Sequence, residues 1–282
     1  TSVGIDAAVA SDLPAAAGLS SSSALLTAFT LALLAANRIR ASFEELMEVL
    51  PEGEYFVGTR GGGMDHAAVL APDPGCALLV HFSPLSAESI PVPRDWAFLV
   101  AHSMVAAEKS GEVREKYNSR RVAGSTALKT VGFDSYGQAV SRHSFEDLKR
   151  LAAEKLDGDE LKCFLHVTGE SCRVGAAVEA MMQDDIEAFG ALLDASHESL
   201  RYLLGVSCPE LDELVEAARE AGAFGARLTG AGFGGCAVIA CHSANREEVA
   251  RGLVDRFYSK REGFDASRHL IFAEPSAGAL HV

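Results

Sequence analysis

An α+β fold is predicted for this 282-residue chain. Three observations predict it. Helix-like and strand-like segments alternate along most of the length. One stretch, residues 113–204, is almost wholly helical in pattern. Two pairs of short apolar runs, at 76–82 with 88–92 and at 224–229 with 236–241, read as paired strands. The length suffices to bury a sizeable core and suggests one large or two smaller domains.

Residues 3–9 read as a strand, followed by Asp12-Leu13-Pro14 and a turn of small residues. Residues 20–37 read as a helix, because a long apolar run of good helix formers follows the turn. A second helix is expected over 42–50. Pro91-Val92-Pro93-Arg94-Asp95 is a plausible joint before a strand at 97–101. The helical stretch breaks near 132–136 and 157–159. A helix over 209–221 carries Pro209 near its first position, where a missing amide is harmless. A helix at 244–257 and a strand at 270–273 close the pattern. No repeat or low-complexity tail is present.

The formal charge of −14 argues against nucleic acid or an anionic membrane as partner. The six cysteines, at 76, 163, 172, 208, 236 and 241, show no C-x-x-C spacing; they read as buried, reduced thiols in a cytoplasmic protein. The longest apolar run, residues 24–36, contains Thr27 and Thr30 and is too short to span a bilayer.

Gly18-Leu19-Ser20-Ser21-Ser22-Ser23-Ala24 is the most informative stretch. It sets four hydroxyls over a helix start, where amides lack intrahelical partners and the dipole is positive. That is an anion site, most naturally for phosphate. Serine hydroxyls can also ligate Mg²⁺. A plain Ser-capped helix is the alternative, but capping needs one serine.

Arg227-Leu228-Thr229-Gly230-Ala231-Gly232-Phe233-Gly234-Gly235-Cys236 contains G-x-G-x-x-G, yet an apolar strand follows it rather than a helix. The dinucleotide reading is therefore rejected. A loop between two strands can still lay amides against a ligand, or be an ordinary hairpin turn. No Walker A pattern occurs. A third block, Glu54 to His66, holds Gly61-Gly62-Gly63-Met64-Asp65 before a short apolar run. Asp65 there is either an N-cap or a positioned carboxylate.

These three blocks, in this order and at these separations, resemble the galactokinases, sugar kinases of the GHMP superfamily that also holds homoserine, mevalonate and phosphomevalonate kinases. Similar stretches include Phe82-Ser83-Pro84-Leu85, Tyr117-Asn118-Ser119-Arg120-Arg121, Ser196-His197-Glu198-Ser199-Leu200-Arg201 and Val206-Ser207-Cys208-Pro209-Glu210-Leu211-Asp212. The resemblance spans nearly the whole chain. It implies the two-domain GHMP kinase fold with the active site in the interdomain cleft. Residues 1–93 would be the remainder of the N-terminal, ATP-binding domain and 94–282 the C-terminal domain. The family's N-terminal signature is absent, so the chain is expected to be N-terminally truncated and not a competent kinase by itself. Ala16 stands where the family usually has Gly, Ser23 where it has Ala, and His66 where it has Gln.

The implied chemistry is ATP-dependent phosphorylation of the anomeric C1 hydroxyl of galactose. ATP would lie on Pro14, Gly18, Leu19, Ser20, Ser21, Ser22 and Ser23. Mg²⁺ would be held by Ser22 and Glu54. Asp65 would accept or orient the sugar hydroxyl proton. Tyr117, Gly230 and Gly232 would join Asp65 in contacting substrate. His66, Arg120 and His197 are read as structural. A monomer is expected. N-acetylgalactosamine is the alternative acceptor, because residues 55–65 with Phe82-Ser83-Pro84-Leu85 look closer to that branch, whereas Tyr117 looks like galactokinase proper. A non-catalytic sugar sensor is a further alternative, which the full-length Ser loop disfavours. A kinase of mevalonate or homoserine is disfavoured by Met64-Asp65 and the 229–236 block.

Overall fold

A computed structural model describes residues 3–54, 62–107 and 111–281. They fall into two units, Thr1–Val92 with Glu274–Val282, and Pro93–Ala273.

The first unit holds helices α1 (Ser21–Ala36), α2 (Phe43–Gly53) and α3 (Met64–Leu70) and an antiparallel hairpin, β1 (Cys76–Phe82) and β2 (Leu85–Pro91). Its core is Leu46, Met47, Leu50, Ala67 and Leu70. A capping box starts α2: the Ser42 hydroxyl accepts from the Glu45 amide at 3.2 Å, and the Glu45 carboxylate accepts from the Ser42 amide at 2.8 Å. The helix continues through Pro51 to Gly53, past its expected end at residue 50. A proline in the last turn removes one intrahelical bond, and buried Leu50 anchors that turn. The extension sets Glu54 at the helix C-cap.

The expected strand at residues 3–9 does not form. Those residues form no regular element and are largely exposed, with no ladder among the described residues. The Val3 amide and carbonyl instead pair with the Asn37 side chain, at 2.7 and 2.9 Å. The terminal residues also depart from expectation, because they return to the first unit instead of finishing the second. The amides of Gly278, Ala279 and Leu280 donate to the carbonyls of Pro72, Val69 and Leu70. A Cβ on Gly278 would stand 2.4 Å from the Leu70 carbonyl oxygen, so glycine permits this approach.

In the second unit an antiparallel sheet runs in the order β4 (Gly225–Leu228), β5 (Cys236–His242), β3 (Trp96–His102), β6 (Leu270–Ala273). Helices α9 (Pro209–Glu220) and α10 (Arg246–Arg256) cover it over a core that includes Leu99, Leu214, Ile239, Leu253 and Phe257. Helices α4 (Gly111–Val131), α5 (Tyr136–Arg142), α6 (Phe145–Lys155) and α7 (Gly158–Met182) build a second core around Leu148 and Phe164. Helix α8 (Ile186–Ser199) lies against both α7 and β4. All six cysteines are free thiols, but only Cys163, Cys236 and Cys241 are buried as expected; Cys76 and Cys208 are half-buried, and Cys172 is exposed on the outward side of α7.

Candidate active site

The backbone before α1 turns through left-handed conformations at Ala16 (φ 55°), Gly18 (φ 70°) and Ser20 (φ 56°). Ser20 occupies the N-cap but makes no capping bond, and the first turn carries no acidic residue. The serines therefore do not serve as ordinary caps. The helix presents its positive end without a side-chain acceptor. Pro14, Gly18, Leu19, Ser20 and Ser21 are half-buried around it, and Ser22 is exposed.

Ser23 is fully buried and points inward. Its hydroxyl donates to Glu54 Oε1 at 2.6 Å, while the Ser22 hydroxyl stands 3.5 Å from the same oxygen. Sequence reasoning paired Ser22 with Glu54; the shorter contact is from Ser23, which periodicity could not separate from its neighbours. Glu54 is 7% exposed. It sits where the carbonyl ends of α2 concentrate negative potential. No lysine or arginine pairs with it among the described residues. A buried carboxylate in that field calls for a cation.

Ser22 and Glu54 are hard oxygen donors, and few of them. No group of three or more His, Cys, Asp or Glu among the described residues is placed to hold a metal. Such a donor set fits an ion that keeps waters and shares a phosphate, which is the habit of Mg²⁺.

Asp65 is not the N-cap of α3. Gly63 holds that position at φ 83°, and a Cβ there would meet Met47 Cε at 3.0 Å and Pro51 Cγ at 3.2 Å. Asp65 stands in the first turn, half-buried. Next to it His66 is 1% exposed, with Nε2 3.7 Å from Glu54 Oε1. Burial pushes the His66 pKa down, outweighing the nearby Glu54 and Asp65 charges, so the ring is neutral at pH 7. The expected structural role for His66 omits this approach to Glu54; nothing in the spacing signalled it.

The structure thus brings Ser22, Ser23, Glu54 and His66 together. Tyr117, Gly230 and Gly232 belong to the second unit. Tyr117 is half-buried on α4. The glycine loop joins β4 to β5 as a hairpin connection, as its flanks predicted. Gly230 (φ 63°) and Gly232 (φ 78°) adopt left-handed backbone. The loop is pinned by the Phe233 amide on the Val206 carbonyl and the Gly235 amide on the Val105 carbonyl, both 2.7 Å. Of the residues that carried the N-acetylgalactosamine-like resemblance, 55–65 with Phe82-Ser83-Pro84-Leu85, those at 55–61 lie outside the described residues.

Arg120 pairs with Asp159 at 2.5 Å. His197 Nδ1 accepts from the Leu228 amide at 3.3 Å and Nε2 faces Asp212 Oδ1 at 3.1 Å. Both are framework contacts within the second unit.

Residues 2–72 match the family described as GHMP kinases N terminal domain, and residues 177–260 match GHMP kinases C terminal. The protein is therefore a phosphotransferase with the GHMP kinase fold. Galactokinase of Mannheimia succiniciproducens is 33% identical over 265 residues, 92% of this chain and 67% of that protein. Galactokinase of Thermosipho africanus is 34% identical over 89% of this chain and 69% of its own length. The Lactococcus lactis galactokinase structure, complexed with galactose, superimposes with a TM-score of 0.84 at 27% identity, covering 95% of this chain and 68% of that one. The chain belongs to the galactokinase family.

Proposed function

We propose that the protein transfers the γ-phosphoryl group of ATP to the C1 hydroxyl of galactose, giving galactose 1-phosphate and ADP. The observation that carries this is the buried Glu54 carboxylate under the Ser22–Ser23 turn, at a helix start with no capping side chain. The galactose acceptor rests on the relatives' names and on the galactose bound to the Lactococcus lactis enzyme. In this reading the first unit is the nucleotide-binding domain, joined near residues 92–93 to a GHMP C-terminal domain. The protein works as a monomer in the cytoplasm, where free thiols and ATP coexist. No helix among the described residues is long and apolar enough to cross a membrane.

Pro14, Gly18, Leu19 and Ser20 to Ser23 cradle the triphosphate against the α1 amides. Ser22 and Glu54 hold Mg²⁺, which when bound neutralises charge on the transferring phosphate. Asp65 orients the C1 hydroxyl and takes its proton as the new P–O bond forms and the bond to ADP breaks. Tyr117 and the backbone at Gly230 and Gly232 contact the sugar. Most of the acceleration comes from positioning and charge, so Asp65 acts as much by orientation as by basicity.

ATP consumption by the full-length protein, measured with galactose, N-acetylgalactosamine, mevalonate and homoserine, tests this reading. Galactose should support turnover of ~1–100 s⁻¹ and the last two none. Preference for another acceptor, or no ATP consumption, would overturn the assignment. Replacing Ser22 or Glu54 by Ala should raise the Mg²⁺ concentration needed for half-maximal rate by about tenfold or more, with galactose binding retained. An unchanged Mg²⁺ titration for both variants refutes the metal assignment.

A further inference from the structure

Among the described residues of the first unit, three side-chain atoms are buried without a hydrogen-bond partner: Thr27 Oγ1 and both ring nitrogens of His66. Thr27 lies one turn beyond Ser23 on α1, and His66 lies beside Glu54. Buried polar groups in native proteins are almost always satisfied, and each exception calls for a partner, whether an ordered water, an ion or a neighbouring side chain that moves. For His66 that partner is within reach. A separation of 3.7 Å is too long for a hydrogen bond, so the two groups must approach by about 1 Å or slightly less for one to form.

We propose that His66 is a positioning residue, whose Nε2–H closes onto Glu54 Oε1 and fixes that carboxylate for a divalent cation arriving with a nucleotide. The inference rests on the reading of Glu54 as a metal ligand. Ser23 already donates to Oε1 at 2.6 Å. A second donor on the same oxygen locks the carboxylate plane, and outer contacts of this kind orient metal ligands and set their affinity. A purely space-filling role accounts less well for the residue. An imidazole with two unsatisfied nitrogens weakens a core that leucine would fill without that cost.

The opposed effects on stability and metal affinity provide the test. Mn²⁺ serves as a spin-active probe, titrated by electron paramagnetic resonance into the protein with a non-hydrolysable ATP analogue. Wild type, Glu54→Ala, His66→Leu and His66→Gln are compared, with thermal unfolding of each. His66→Leu should weaken Mn²⁺ binding by about 10- to 100-fold while the melting temperature stays level or rises. His66→Gln supplies an N–H donor and should restore affinity to within about threefold of wild type. Should His66→Leu fail to fold, His66→Met takes its place.

Mn²⁺ affinity of the apolar variant equal to wild type would overturn the proposal. So would a glutamine variant as weak as the leucine one, or a loss of affinity that only follows a loss of melting temperature. Unchanged Mn²⁺ binding in Glu54→Ala would instead strike the metal-ligand reading itself, and this proposal with it.

Discussion

At the scale of single residues, the two informative positions are Asp65 and Ala16. Asp65→Asn should lower kcat by roughly 100-fold or more. Its thermal unfolding should change little, because Gly63 and not Asp65 starts α3. A variant with near wild-type kcat would remove Asp65 from the mechanism. Ala16 carries a left-handed backbone, φ 55°, which costs an L-residue about 1–2 kcal/mol relative to its relaxed state. Glycine relieves that strain but adds freedom to the unfolded chain, so Ala16→Gly should stabilise by roughly 0.5–1 kcal/mol. A melting temperature unchanged or lowered would show that the turn does not carry this strain. The Ser loop stood out in the sequence as four hydroxyls at a helix start, whereas Asp65 was ambiguous between an N-cap and a positioned carboxylate until the resemblance was added. The inward turn of Ser23 and the approach of His66 to Glu54 were not legible, since both depend on how α1, α2 and α3 pack.

At the scale of elements, most boundaries were readable from Pro, Gly and the switch between period 2 and period 3.6. The strand at residues 3–9 was the exception: apolar alternation marks a segment able to form a strand, but only a neighbouring backbone makes the ladder, and here Asn37 supplies the contacts. The helix–strand contact of α8 on β4 was also invisible. It depends on Gly190 facing Gly225: a Cβ on Gly190 would lie 2.3 Å from the Phe224 carbonyl oxygen, and one on Gly225 would lie 2.0 Å from that of Gly190. Neither glycine has positive φ, so close approach and not backbone strain is their reason. Gly190→Ala should therefore destabilise by about 3 kcal/mol or more, despite alanine's better helix propensity. Urea denaturation measures it; a neutral or stabilising result would mean that α8 and β4 can separate without loss.

At the scale of the whole molecule, the alternation of elements made the α+β class readable, and the Pro91–Asp95 joint falls where the two units divide. The return of the tail to the first unit was not readable, because main-chain bonds to residues 69–72 carry it and leave no side-chain pattern. The last prediction concerns pH. His166 and His197, in the second unit, are under a tenth exposed, and burial lowers the pKa of each. For His197 burial outweighs the opposing pull of Asp212. For His166 it outweighs Glu170, while Arg173 and Arg227 add to the lowering. Unfolded, each would take up a proton near its ordinary value of 6.5. The unfolded chain thus binds more protons than the folded one as pH falls through that value. The stabilising contribution of each neutral ring is fully present above pH 6.5 and is lost progressively towards the depressed folded pKa. Asp194, whose carboxyl is pushed up by burial, acts with the opposite sign. Between pH 7 and pH 5.5 these two histidines, with half-buried His102 of the same unit, whose pKa burial also lowers, should together reduce stability. Urea midpoints measured over this range should fall with acidity, and the fall should be smaller in His197→Gln, which keeps an N–H for Asp212 but cannot take up a proton. A midpoint flat from pH 7 to 5.5, or a slope unchanged in that variant, would show that the buried imidazoles do not set the acid stability of the second unit.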